Sequence, residues 1–172
     1  MSFESAFTMD TSAIKFGPGV TREVGEDAKG LGATRVMVVT DPVLVNHDAI
    51  EIATGALEDA GVDYELFADV RVEPTDISYK KAIDFANDGG FDAFVAIGGG
   101  SVMDTAKAAN LYSTYPADLL TYVNAPIGLA KPVPGRLRPL IAIPTTAGTG
   151  SETTGTAIFD LKSMHVKTGI AH

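Results

Sequence analysis

The sequence predicts an α/β fold, a doubly wound and mostly parallel sheet with helices on both faces and a C-terminal β-hairpin. Two observations carry this. Apolar runs of strand length alternate along the chain with segments whose apolar residues recur at helical spacing, and glycines mark the ends of those segments. A glycine-rich turn, GGGS, also follows one of the strand runs and opens a helix. At 172 residues the chain is long enough for one substantial core and short for two, so residues 1–172 read as a single domain.

The elements follow in order. Val20, Val24, Ala28 and Leu31 lie at helical spacing, with Gly30 and Gly32 as the stop, and Arg35 to Thr40 (RVMVVT) reads as a buried strand. Asp48 with Glu51 three residues on predicts a capping-box start for a helix whose face is Ile52, Ala53, Ala56, Leu57 and Ala60, ending at Gly61. Val62 to Phe67 is the next strand. A third helix begins near Asp76, carries Tyr79, Ala82, Ile83 and Ala86, and stops at Gly89 and Gly90. Phe91 to Ile97 is again a strand, and the helix after GGGS carries Val102, Thr105, Ala106 and Ala109. From Ser113 to Leu137 the pattern lapses, with one short helix expected around Ala117 to Tyr122. A strand from about Arg138 to Ile143 leads into TTAGTGSETTG, and Thr156 to Phe159 with Val166 to Ile170 read as a hairpin across Asp160 to His165.

Composition narrows the function. Thirteen Lys and Arg against 22 Asp and Glu give a net charge of −9, which repels phosphate backbones and anionic lipid, so no nucleic-acid or membrane partner is expected. An anionic ligand would have to be held by local backbone dipoles or single cations. The absence of cysteine excludes disulfides, a thiolate nucleophile and Cys-type metal sites. MSFESAFTMD has no apolar h-region and no run reaches membrane-spanning length, so the expectation is a cytoplasmic protein, neither secreted by a signal nor anchored. His47, His165 and His172 have no Asp or His four residues away, so no metal constellation assembles at helical spacing; His47 reads as a loop residue and His165 as a hairpin tip.

Three features carry chemistry. In VAIGGGSVMDTAK, Val95 to Lys107, consecutive glycines permit a tight turn and leave room for a phosphate at the amides of the next helix. The alternative is a plain strand-to-helix turn with Ser101 as N-cap and Asp104 as its capping-box partner. Asp104 opposes a pyrophosphate one turn into the helix, and so faces either the nicotinamide side or the protein; with Lys107 it also makes an i, i+3 surface pair. PTTAGTGSE, Pro144 to Glu152, offers hydroxyls and glycine-freed amides at another strand's carboxyl end, or else is a polar turn. Asp41, ending its strand, is placed either to accept hydrogen bonds from an adenosine ribose or to start a turn with Pro42.

Taken together, FGPG near Phe16, TD at Asp41, EPT at Glu73 to Thr75, GGGSVMDTAK, PTTAGTGSE and Lys167 resemble the iron-containing (group III) alcohol dehydrogenases over essentially the whole chain. Within that family, RVEPTD, DTAKAANLY, YVNAPIG and GSETTGTAIFD look most like the hydroxyacid–oxoacid transhydrogenases of 4-hydroxybutyrate oxidation. The resemblance implies a Rossmann-like dinucleotide-binding domain with NAD as cofactor. It implies that Gly99, Gly100 and Ser101 hold the pyrophosphate beside Gly98, that Asp41 binds the adenosine ribose, and that Thr145, Thr146, Thr149 and Lys167 contact the cofactor with Asp104 nearby. Glu73 stands where the family commonly has Asn and Thr156 where many members have Asn, so an adenine contact is not carried over to Glu73.

The family's metal ligands lie in a helical C-terminal domain, and the sequence stops at His172 before it. A divalent metal, iron or zinc, is therefore expected only with that domain, and no catalytic residue or metal ligand is expected in residues 1–172. The substrate implied is a small alcohol or hydroxyacid, and the full-length protein is expected to be a homo-oligomer. Two function classes follow: the cofactor half of a metal-dependent dehydrogenase or transhydrogenase, inactive alone, or a stand-alone nucleotide-binding module.

Overall fold

A computed structural model describes residues 12–171; the MSFESAFTMD stretch and His172 lie outside the described residues. Four strands, β1 (Arg35–Val39), β2 (Asp63–Phe67), β3 (Ala93–Gly98) and β4 (Leu140–Pro144), form a wholly parallel sheet in the order β2-β1-β3-β4. The order reverses between β1 and β3, which places the sheet's switch point, and the crevice expected there, at the carboxyl ends of those two strands.

Strand alternation decides which helix packs where. Val36, Val38, Val95 and Ile97 point to one face and pack against α1 (Val24–Gly30) and α2 (Asp48–Asp59) through Val24, Ala28, Ile50, Ala53 and Leu57. Met37, Val39, Phe94 and Ala96 point to the other, against α3 (Asp76–Gly89) and α4 (Gly100–Thr114). All six residues of β3 are buried, as the central strand of a doubly covered sheet requires. The antiparallel hairpin of β5 (Thr156–Leu161) and β6 (Val166–Ala171) forms a further layer outside α3 and α4. Phe159, Leu161 and Ile170 meet Tyr79, Ala108, Leu111 and Tyr112 there, with the Tyr79 and Phe159 rings 5.0 Å apart.

Several boundaries differ from the sequence reading. The first helix opens with a 3-10 turn at Val20–Glu23 and ends before Leu31, which is 55% exposed. The second is capped by His47, whose Nδ1 accepts the Ala49 N–H at 3.1 Å, so Asp48 lies inside the helix and His47 is a cap, not a loop residue. Only Leu119–Thr121 is helical in the Pro/Gly stretch, as a 3-10 turn. That stretch is fastened instead by Asn110 and Ser113: Asn110 Nδ2 donates to the Arg138 carbonyl at 2.8 Å, and Arg138 Nη1 donates to Ser113 Oγ at 3.0 Å. These bonds return the chain to the sheet at β4.

The third helix follows its sequence. Thr75 Oγ1 accepts the Ser78 N–H and Ser78 Oγ accepts the Thr75 N–H, a reciprocal box, and Gly90 closes the helix at φ 63°. At the sheet's amino edge, Asp92 accepts hydrogen bonds from the Thr34 N–H and hydroxyl and from the Arg35 N–H. Burial pushes the Asp92 carboxyl up, but these donors outweigh it and hold it below its ordinary value. Arg35 pairs with Asp63 and Glu65 across β2 and stands over the Phe91 ring at 5.5 Å.

Candidate functional site

At the carboxyl edge the floor of the crevice is braced by Thr40, fully buried just past β1. Its N–H donates to the Phe67 carbonyl and its hydroxyl to the Ile97 carbonyl, each at 2.9 Å, so one residue ties β1 to β2 and to β3.

Above that floor β3 runs into α4 with almost no connection. Gly98 ends the strand, and a Cβ there would stand 2.5 Å from Val102 Cγ2. Gly99 is the N-cap of α4 and offers no side-chain cap to its first amides. This excludes the alternative in which Ser101 caps the helix with Asp104 as its partner. Ser101 sits in the first turn instead, where its Oγ accepts the Glu73 N–H at 3.3 Å and so keeps its own proton free to donate.

The second glycine-bearing loop lies directly against this turn. Pro144 pairs in register with Gly98, and the Thr145 N–H donates to the Gly98 carbonyl at 3.0 Å. A Cβ on Gly99 would come within 3.2 Å of Thr146 Oγ1, and one on Gly100 within 3.3 Å of both Thr149 Cβ and Ser151 Oγ. The structure therefore brings Gly98, Gly99, Gly100, Ser101, Thr145, Thr146 and Thr149 together. The absent side chains at Gly99 and Gly100 give the second loop its close approach.

Asp104 is not on the crevice surface. It is 8% exposed, its Oδ1 accepts the Ser151 hydroxyl at 3.0 Å and its Oδ2 the Ile158 N–H at 3.1 Å, with Lys107 Nζ 4.0 Å away. Of the readings left open by the sequence, the one facing the protein is the one observed. Burial raises the Asp104 carboxyl above its ordinary value, against the opposing pull of Ile158, Ser151 and Lys107. Burial likewise lowers Lys107, against Asp104 and Glu152, and Lys107 Nζ donates to the Thr156 carbonyl at 2.9 Å. Asp104 thus clasps the second loop and the start of the hairpin to α4.

The remaining site residues sit at two rims. Asp41 Oδ1 accepts the Val43 and Leu44 N–H groups at 2.8 and 3.0 Å, the turn predicted as its plainer role. On the hairpin side Lys167 is about half-exposed, with Nζ 3.5 Å from Asp160 Oδ1 and 3.8 Å from Glu73 Oε1. Glu73, at a left-handed φ of 56°, meets Ser101 through its N–H and Lys167 through its carboxylate, and nothing in the neighbouring residues announces either contact. His165, at φ 54°, lies at the hairpin tip as expected. Among the described residues no three His, Asp or Glu cluster as a metal site would need.

The sheet order, the uncapped helix at the switch point and the paired glycine loops define a Rossmann-like α/β domain. Residues 11–172 match the family described as iron-containing alcohol dehydrogenase, and the chain belongs to that family. It is 55% identical over 167 residues to the mitochondrial hydroxyacid-oxoacid transhydrogenase of Mus musculus, covering 96% of this chain and 36% of that protein. The chain therefore spans about a third of the length of the curated relatives it matches. Among solved structures, the alcohol dehydrogenase from Oenococcus oeni superposes with a TM-score of 0.85 at 32% identity, covering 95% of this chain and 42% of that one. Sulfoacetaldehyde reductase from Bifidobacterium kashiwanohense, solved in complex with NAD+, gives 0.78 at 27% identity, covering 96% and 43%. One expectation is overturned here. The relatives from Mus musculus, Bos taurus and Homo sapiens are all named as mitochondrial, which goes against the cytoplasmic location read from composition. Bulk composition carries no organellar address.

Proposed function

We propose that residues 1–172 are the NAD-binding part of a metal-dependent oxidoreductase that moves a hydride between an alcohol or hydroxyacid and the cofactor. The observation that carries this is the uncapped N-terminus of α4, set at the switch point with Thr145, Thr146 and Thr149 packed over its glycine turn. The side-chain-free turn fits a pyrophosphate: the first amides of α4 and the Ser101 proton would donate to its oxygens, and Lys167 would supply a cation from the hairpin. Asp41 Oδ2, which accepts no bond among the described residues, would take a ribose hydroxyl. The cofactor supplies hydride chemistry at nicotinamide C4 when bound. This chain's residues hold and orient it, and Asp104 acts behind them by fixing the second loop.

The described residues offer no ligand set for the iron that the family's description implies. Identity to the transhydrogenases supports a hydroxyacid as substrate of the full-length protein, and a mitochondrial location.

Calorimetric titration with NAD and NADP tests the site. Asp41 facing a 2′-phosphate at about 4 Å repels it by roughly 4 kcal/mol at an effective dielectric of 20, before screening. NAD is expected to bind more tightly, and Asp41→Gly to narrow the gap. Equal affinities in the wild type, or an unchanged preference in the variant, would remove Asp41 from this role.

A further inference from the structure

We propose that Glu73 is a built-in competitor for the cofactor's phosphate: its carboxylate holds the Lys167 ammonium beside the N-terminus of α4 until a nucleotide anion displaces it. This rests on the nucleotide-site reading above and adds a residue that sets its affinity.

The geometry is specific to one residue. Glu73 donates its N–H to Ser101 Oγ at 3.3 Å, so its main chain is anchored on the first turn of the helix that receives the phosphate. Its side chain runs instead to Lys167, with Oε1 3.8 Å from Nζ. A left-handed φ of 56° at a residue that is not glycine makes both contacts possible, and such a backbone persists only where its surroundings hold it. The neighbouring main chain is held: the Asp160 N–H donates to the Pro74 carbonyl at 2.8 Å, and Thr75 bridges to Asp160.

Lys167 is also shared. Its ammonium stands 3.5 Å from Asp160 Oδ1, and Asp160 Oδ2 is 3.5 Å from Lys162 Nζ, so Asp160 has a second cation and Glu73 has only Lys167 among the described residues. The Glu73–Lys167 pair is solvent-exposed and weak, and a phosphate gathering the α4 amides and the Ser101 hydroxyl can displace it. Once displaced, the carboxylate remains near the bound anion. Competition for Lys167 and residual repulsion both hold affinity below what the cradle alone would give.

NAD affinity measured for the wild type, Glu73→Gln, Lys167→Met and the double variant, at low salt and at about 0.3 M salt, tests this. Glu73→Gln is expected to tighten binding about threefold to tenfold at low salt, with a smaller gain at high salt and most of the gain absent on the Lys167→Met background. Glu73→Asn keeps a side chain that tolerates the left-handed backbone and should behave alike, which guards against a folding defect in the first variant. Unchanged or weaker binding by both variants at wild-type melting temperature overturns the proposal. So does a full gain without Lys167, which would reduce Glu73 to simple repulsion, and so does a Lys167→Met variant that binds like the wild type. A wild type that binds no NAD removes the nucleotide-site reading and this proposal together.

Discussion

The two edges of the sheet each hold one critical aspartate, and the two are treated in opposite ways. At the amino edge Asp92 remains partly solvated and collects donors from Thr34 and Arg35, so its charge is welcome and its carboxyl lies below the ordinary value. At the carboxyl edge Asp104 is buried, accepts from Ser151 and Ile158, and is pushed the other way by desolvation. The first arrangement stabilises the fold. The second loses part of its stabilisation to desolvation while it holds the second loop and the start of β5 against α4.

The sharpest break in this comparison is Asp104→Ala. Removing a buried acceptor strands the Ser151 hydroxyl and the Ile158 amide and takes the opposing charge from the largely buried Lys107, a loss of about 3 kcal/mol by the usual cost of unsatisfied partners. Denaturant melts and NAD titration should both register it, because the clasp on the second loop goes with the stability. Wild-type stability in this variant would mean that the clasp is idle.

Gly99→Val should separate the two properties that Asp104 joins. Gly99 has ordinary extended dihedrals, φ −83° and ψ −174°, so valine strains no backbone angle, while its Cβ would stand 3.2 Å from Thr146 Oγ1 and press on the second loop where the phosphate is proposed to sit. An affinity loss of about a hundredfold, roughly 2.7 kcal/mol, is expected with a smaller loss of stability in the melt. Normal NAD binding by a folded variant would move the phosphate elsewhere.

The smallest effect, and the most diagnostic, is the pH dependence of two asparagine variants. Asp92→Asn should cost about 1–2 kcal/mol at neutral pH without touching cofactor affinity. Because the Asp92 carboxyl is lowered in the fold, its contribution is present above the ordinary carboxylate range and lost as pH falls through the folded value, so the variant's deficit shrinks on acidification. Asp104 is raised, so its penalty is absent at low pH and grows as pH rises through the folded value. Asp104→Asn should therefore gain on the wild type with rising pH, the opposite slope. Parallel slopes from melts between about pH 2 and 7 would erase the contrast between the edges.

The alternation of strand and helix was legible because burial on both faces of the sheet forces apolar runs of fixed length, as in Val36 to Val39, and because glycine stops such as Gly90 have a single mechanical meaning. The gathering of the glycine turn with Thr145, Thr146 and Thr149 was legible too, since strand carboxyl ends in a parallel sheet share one edge. What stayed hidden depends on contacts far apart in sequence. Asp104 meets Ile158 across 54 residues, and nothing near Asp104 announces that partner. The hairpin's seat on Tyr79 and Leu111 is likewise a matter of which helix faces remain apolar after the sheet is covered. His47 capped a helix through a ring nitrogen where Asp48 was the stronger local candidate.

Thr40 gives the crevice a foundation of a particular kind. Because its amide and hydroxyl fasten three strands beneath the site, the shape of the floor is fixed when the chain folds, and no ordering entropy for it remains to be lost when a ligand arrives. On the proposed reading, selectivity among dinucleotides would belong to the parts above and beside it, the Asp41 turn, the 145–151 loop and the Glu73–Lys167 rim. Those parts can be altered one at a time over a foundation that stays as it is, and specificity can change in this domain without the sheet being rebuilt.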